Sequence, residues 1–480
     1  MSERIRMAAM VRNRPGAAGR GWPLLLAVLI VVALAIGWVG YIASDDSAYY
    51  DGAARWLARP PFAGSDHWTT RFPVVLAFAA SLMLFGHRLL AFDVVAVLWY
   101  LALVALVVAQ VRAIAGARAG WIAGILTATL PVVVASGSTV GCDIPEAVFL
   151  LAGAGLLGDP GQRPGRAIAA GLCFGLAMLC RETAGLALVG LGPLFLIGRP
   201  IPRRLLIWAG VGIALVLGGE ALFQWTMTGD PSRRYVLAFN HDDQMRRAAN
   251  MEGNLLVHPA VDPLLVLLVN NDFALLFWLG IAAVAGGFWR RHDRSAMARL
   301  AVPAALAIAM AVLVGALTTK LVLNPRYFTV TAVVMAMIVA IWLDGIGPRW
   351  RWGLLTVAVG SNLLMLSVQN GHPRWPAEAL VRAAVAYPRA TIVADAETLH
   401  RAALPLRFQR SANARAAGAG LRLIPAADAD RRLPLVARYP SPPTTAGAVL
   451  RAIGIEARVP SGVAGRLFRP NPDMELRGHP

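Results

Sequence analysis

Residues 72–86 read FPVVLAFAASLMLFG, an apolar run whose placement decides the side on which every later segment of this chain falls. The surroundings are those of a membrane protein. Of 480 residues 57% are hydrophobic and the mean hydropathy is +0.59, against roughly 45–50% apolar residues in soluble domains. Outward from 72–86, further apolar runs lie at 22–42, 89–111, 119–137, 144–158, 166–180, 183–198, 204–226, 265–288, 298–319, 327–345 and 352–368. Several are shorter than the ~20 residues of a straight span, so neighbours must cover their ends.

Arginine decides whether 72–86 crosses. If it does not, the basic N-terminal arm shares the cytoplasmic side with the links that carry Arg112/Arg118, Arg163/Arg166, Arg199/Arg203/Arg204, Arg290/Arg291/Arg294/Arg299 and Arg349/Arg351. If it does, the arm stays inside and all those links move out, against the positive-inside rule. The run is therefore expected to lie on, or dip into, the outer interface. The expectation is an all-α polytopic membrane protein of about eleven transmembrane helices plus interfacial helices, ending in a small extracytoplasmic α/β domain. Its divisions are a cytoplasmic arm at 1–21, a transmembrane region at 22–368 and the small domain at 369–480. In that domain HPRWPAEALVRAAVAYP (372–388) and ETLHRAAL (397–404) read as helices, 390–395 and LRLIP (421–425) as strands, and RPNPDMELRGHP (469–480) as a tail.

The formal charge of +18 is carried almost wholly by arginine, Lys320 being the single lysine. In such a chain this suits cytoplasmic loops and lipid headgroups, with no nucleic-acid partner. Trp22–Ile42 lacks a cleavage site after a short apolar core and reads as a permanent anchor. Cys142, Cys173 and Cys180 have no metal-type spacing; free buried thiols are expected rather than a Cys142–Cys180 bridge.

With 72–86 on the outer surface, the least generic polar residues gather outside. Asp45 and Asp46 in SDDSAYYDG (44–52) stand at the mouth of the first span. Their bland reading is a helix start, Ser44 capping and the acids answering the dipole. The functional one is a general base beside a partner that holds a metal, a proton or an acceptor hydroxyl. Tyr49 lies one turn beyond Asp45; Tyr49, Tyr50 and Trp56 would equally serve as an interfacial aromatic belt. Asp143 in STVGCDIPE is either a first-turn acid beside Pro145 or a site residue, and Arg181/Glu182 are either a hairpin tip or charges facing a cavity. Arg326 and Tyr327 in NPRYF, with Lys320 nearby, could clamp an anion or simply snorkel. His67 and Arg71 precede the interfacial run, and Asp242/Asp243 in the loop 227–264 form a rival acidic pair. There is no P-loop, no GxGxxG after a strand and no HExxH.

The order of these features resembles the GT-C superfamily of membrane glycosyltransferases, especially glycosyltransferase family 39, which includes protein mannosyltransferases and lipid A aminoarabinose transferases. In that resemblance DDSAYYDGA fills the slot of the family's acidic pair, Asp45 and Asp46 matching the two acids, Tyr49 the tyrosine and Ala53 the alanine. HWTTRFP and LFG (84–86) look like its histidine, basic-proline and Leu-Phe-Gly elements, and Asp143–Pro145 and NPRYF like later ones. Two positions depart: Asp46 stands where glutamate is usual, and one arginine replaces a denser basic cluster. The resemblance covers roughly 20–370 and implies a polyprenyl-phosphate-sugar donor, a glycan, lipid or protein acceptor, Asp45 as base and inversion at the anomeric carbon. It implies Arg326, Lys320 and Arg181 at the donor phosphate, or a divalent ion (Mg or Mn) held by Asp46. Tyr49, His67, Arg71, Asp143, Glu182 and Tyr327 would line the substrate. A transporter or lipid flippase, and a non-catalytic assembly factor, are the other function classes.

Overall fold

The computed structural model describes residues 21–40, 45–158, 161, 163–244, 257–258, 260–288, 294–317, 323–370 and 374–478. In chain order the first helices are α1 (Gly21–Gly37), α2 (Asp46–Ala58), α3 (Phe72–Phe85), α4 (Leu89–Ala115), α5 (Ala117–Thr129), α6 (Pro131–Gly137), α7 (Asp143–Leu157) and α8 (Pro164–Cys180). They are followed by α9 (Ala184–Leu188), α10 (Leu191–Ile197), α11 (Arg203–Thr228), α12 (Arg233–Gln244), α13 (Asp262–Val269), α14 (Leu276–Ala285), α15 (Arg294–Ala316), α16 (Thr329–Gly345) and α17 (Pro348–Asn370). Every expected span thus coincides with a helix or a broken pair of helices. Among the described residues five helices are long and apolar enough to cross a membrane, and the bent pair α5–α6 makes a sixth. The chain is a multi-pass membrane protein.

Breaks and close approaches place the polar segments. Pro131 cannot donate the helical hydrogen bond and disfavours helical Leu130, which sits at ψ 125°; the axis turns by 66° there and delivers the 138–143 loop sideways. Helices α8 and α11 meet backbone to backbone. A Cβ at Gly171 would lie 2.0 Å from the Ala209 carbonyl oxygen, and one at Gly212 would lie 2.2 Å from that of Ile168, the small-residue contact typical of membrane helices.

Helix α3 has 14 residues and so rises about 21 Å, less than a bilayer core. Its two ends are tied to neighbouring residues of α2. The Tyr49 hydroxyl accepts from Arg71 Nη1 at 2.7 Å, just before α3, and the Tyr50 hydroxyl lies 2.9 Å from His87 Nδ1, just after it. The Tyr50 ring also meets Phe78, midway along, at 6.1 Å. Helix α3 therefore lies across the first turn of α2, burying Val74, Val75, Phe78, Ala79 and Leu82.

Beyond α17, α18 (Trp375–Ala386) and α19 (Ala396–Phe408) pack on a five-stranded sheet with α20 (Thr445–Ala452) and α21 (Ser461–Phe468) following. The strands are β1 (Ile392–Val393), β2 (Ala414–Arg415), β3 (Leu421–Pro425), β4 (Leu435–Tyr439) and β5 (Met474–Arg477), in the order β2-β1-β3-β5-β4. β1 pairs parallel with β2 and β3, while β5 pairs antiparallel with β3 and β4. The segment read as a tail thus supplies an inner strand: Met474 and Leu476 are buried in the core of this unit. Four residues are too short for an alternation to stand out in the sequence.

Candidate active site

Asp45 precedes α2 as its N-cap residue, yet its side chain makes no capping bond. Its Oδ2 instead accepts from Arg326 Nη1 at 3.1 Å. Asp45 and Asp46 thus stand at a helix start, and Asp45 in addition faces a cation. Arg326 is held by local chemistry: Asn324 Oδ1 accepts from the Arg326 backbone N–H at 3.1 Å, and Pro325 starts the short 3-10 turn Pro325–Phe328 that leads into α16. The next residue, Tyr327, presents its ring to Arg181, whose guanidinium carbon lies 3.9 Å from the ring centroid. Arg181 also donates to Asp143 Oδ1 and lies 3.9 Å from Glu146 Oε2. One chain of contacts thus joins Asp45, Arg326, Tyr327, Arg181 and Asp143.

A second layer sits beneath it. Arg71 donates to the Tyr49 hydroxyl at 2.7 Å and to Cys142 Sγ at 3.5 Å, and its other terminal nitrogen lies 3.6 Å from Glu182 Oε2. Glu182 Oε1 accepts from Arg234 Nη2 at 2.8 Å. Arg234, fully buried, donates further to the carbonyls of Thr70, Met178 and Leu179 at 2.8, 2.9 and 3.0 Å. The loop before α3 is shaped by its own hydroxyls. Asp66 Oδ1 accepts from Thr69 N at 2.9 Å, and Thr70 Oγ1 donates to the His67 carbonyl at 3.0 Å. His67 is buried with its ring against Trp68.

Burial alone would raise the Asp45 carboxyl. The opposing pull of Arg326, Arg71 and His67 wins and holds it below the ordinary 3.8. Glu182 is likewise lowered, Arg234 and Arg71 outweighing burial. Burial raises the Tyr49 hydroxyl well above its usual value, so it stays protonated.

The structure brings together Asp45, Asp46, Tyr49, His67, Arg71, Asp143, Arg181, Glu182, Arg326 and Tyr327. Lys320 and Ser44 lie outside the described residues. Asp242 and Asp243 fall at the end of α12, a regular helix where an irregular loop was expected. Cys142, Cys173 and Cys180 are free thiols. Among the described residues no group of three or more His, Cys, Asp or Glu side chains could hold a metal ion. Asp46 is buried beside Asp45, whose carboxylate pairs with Arg326.

Three residues were missed. Arg234 lies in the segment read as an irregular loop, with nothing in RRY to mark it. Glu146 was passed over beside Asp143. Arg374 was read as part of an amphipathic helix; its guanidinium feels Asp46 and Asp45, and its Nη1 is buried without a hydrogen-bond partner. Burial, with Arg401 nearby, pushes Arg374 down to about 10, so it stays cationic at neutral pH. Proline and tryptophan following a lone arginine were the only available signal.

The family described as dolichyl-phosphate-mannose-protein mannosyltransferase matches residues 71–218, a segment that opens on Arg71 and ends within α11. ArnT from Cupriavidus metallidurans in the apo state is similar in structure at a TM-score of 0.58 and 15% identity, covering 82% of this chain and 85% of that one. The same protein bound to undecaprenyl phosphate gives 0.59 at 13% identity, covering 88% and 97%. The fold is that of the GT-C glycosyltransferases. The Archaeoglobus fulgidus oligosaccharyltransferase in the apo form is similar at 0.51 and 14% identity, covering 83% of this chain and 65% of that one. No curated protein matches in sequence. The family match begins after α2, so the acidic pair lies outside it.

Proposed function

We propose that the chain is an integral membrane glycosyltransferase that moves a sugar from a polyprenyl-phosphate donor to an acceptor hydroxyl, with inversion at the anomeric carbon. The observation that carries this reading is the pairing of Asp45 with Arg326 at the exposed edge of a buried ionic cluster. A carboxylate and a guanidinium held together are a base and a phosphate ligand in waiting. A donor phosphate competes for Arg326, because the guanidinium fork matches its oxygens, and Arg181 and Arg374 add positive potential behind it. Freed from its partner, Asp45 becomes the stronger base. It takes the acceptor's proton as the acceptor oxygen bonds to the anomeric carbon and the bond from that carbon to the phosphate oxygen breaks. The electron pair leaves on the lipid phosphate, whose charge the arginines stabilise. Asp46 and Tyr49 position the acceptor.

The membrane is the plasma membrane in this reading, the N-terminus is cytoplasmic, and the site and residues 374–478 face outward. The tie of both ends of α3 to one turn of α2 supports the orientation. A crossing helix would carry His87 away from Tyr50 by the depth of the bilayer core, about 30 Å. The test is lipid analysis of a deletion strain, where a prenyl-linked sugar should accumulate, followed by complementation with Asp45→Asn at matched expression. Continued transfer by that variant ends the catalytic assignment.

A further inference from the structure

A basic concavity lies at one end of the sheet unit. It has a volume of about 470 Å³ and is lined by Arg389, Arg410, Arg415, Gln409, Ser411 and Asn413 among others. That is within the range of small-ligand pockets. Three features argue that it holds something. Among the described residues Arg389, Arg410 and Arg415 line it with no ion pair to a carboxylate, and no acid lines it. Uncompensated like charges around one hollow raise its potential and favour an anion. Next, Asn413 is locked: its Nδ2 donates to the carbonyls of Ala384, Tyr387 and Ala390 at 3.2, 2.9 and 3.1 Å. Its Oδ1 is consequently fixed in place, and it is buried with no hydrogen-bond partner. An anion cannot satisfy an acceptor; a ligand hydroxyl can. The required ligand carries both a negative group and hydroxyls.

Position supplies the third feature. The rim residues Gln409 and Arg410 follow Arg407 and Phe408, which are the contact of α19 with the acid-bearing helix α2. Arg407 donates to Asp51 Oδ1, and the Phe408 ring meets Tyr50 at 5.3 Å. Two or three residues of chain put the rim within about 7–11 Å of that contact.

We propose that this cavity binds a saccharide bearing a phosphate or carboxylate, the arginines taking the anion and Asn413 Oδ1 a sugar hydroxyl. Naming that saccharide as part of the acceptor rests on the glycosyl-transfer reading; the binding itself does not. The test is calorimetric titration of the full-length protein in zwitterionic nanodiscs with glucose 1-phosphate, inorganic phosphate and glucose. Glucose 1-phosphate should bind more tightly than either of the others. The double variant Arg389→Gln/Arg410→Gln, whose side chains are exposed and so leave folding intact, should weaken it by about tenfold or more. Affinity unchanged in that variant, lost instead in Arg326→Gln, or no greater for glucose 1-phosphate than for inorganic phosphate overturns the proposal. Asp45→Asn separates the two readings: it should abolish transfer and leave this titration unaltered.

Discussion

Replacing Arg326 with glutamine tests the chemistry most directly, because the pair it forms with Asp45 sets both the charge and the basicity of that carboxylate. At their 3.1 Å separation, two unit charges attract by about 5 kcal/mol at an effective dielectric of about 20 and by about 1.3 kcal/mol in bulk water. The Arg326 side chain is 41% exposed and that of Asp45 22%, which draws the pair toward the weaker limit. The Asp45 pKa therefore rises when Arg326 is lost. The sign is fixed: removing a cation disfavours the carboxylate, so the proton is held to higher pH. Arg71 and His67 remain and keep the rise from being larger. In the pH dependence of kcat/KM, measured with donor lipid recovered from the deletion strain, the acidic limb should move to higher pH. The plateau should also fall by about 10²–10³-fold through loss of a phosphate-facing cation. Arg407→Gln, which removes the exposed pair with Asp51 and the contact with the Tyr50 ring but touches neither Asp45 nor Arg326, should move neither. A lowered plateau with an unmoved acidic limb would refute the assignment of Asp45 as the titrating base.

Glu182→Gln removes the carboxylate shared by buried Arg71 and Arg234 and should destabilise the protein by about 3–5 kcal/mol, read as a lower Tm in detergent; an unchanged Tm would dismiss the network as scaffold. Because Glu182 is lowered from 4.5 in the fold, its contribution should be complete above that value and fade as pH falls through the lower folded one. Gly171→Ala forces α8 from α11 and should cost about 1–3 kcal/mol, whereas Gly210→Ala, with open space around its Cβ, should be neutral. Single cysteines at His87 and Ala115 should label from outside and from the cytoplasm respectively; the reverse, 87 from the cytoplasm and 115 from outside, would place α3 across the bilayer.

Much of this architecture could be read from hydropathy because a membrane helix declares itself by length and polarity alone. The acid and arginine motifs were legible for a related reason: a charge among apolar runs has few bland explanations. What escaped were residues whose role depends on distant partners. Arg234 reaches Glu182 across 52 positions, and no local pattern encodes that pairing. Arg374 sits in a stretch whose helical periodicity explains it adequately until Asp45 and Asp46 are seen nearby. β5 is invisible since it is short and its neighbours, β3 and β4, precede it by some 40–50 residues.

The graded exposure of the arginines separates their tasks. Side-chain exposure falls from 41% for Arg326 to 10% for Arg71, 5% for Arg181 and 1% for Arg234. A buried guanidinium stripped of its carboxylate leaves an uncompensated charge away from water, so Arg71 and Arg234 cannot release Glu182 when a substrate arrives. Arg326 can release Asp45, because water and then phosphate replace what it gives up. The deeper layer therefore acts as a fixed frame that sets the position of Tyr49 and the loop before α3. Only the rim pair can exchange partners, and it is the pair that contains the proposed base. A phosphate that draws Arg326 away raises the basicity of Asp45 at the moment an acceptor hydroxyl needs deprotonating; without donor the pair stays closed and the carboxylate stays a weaker base.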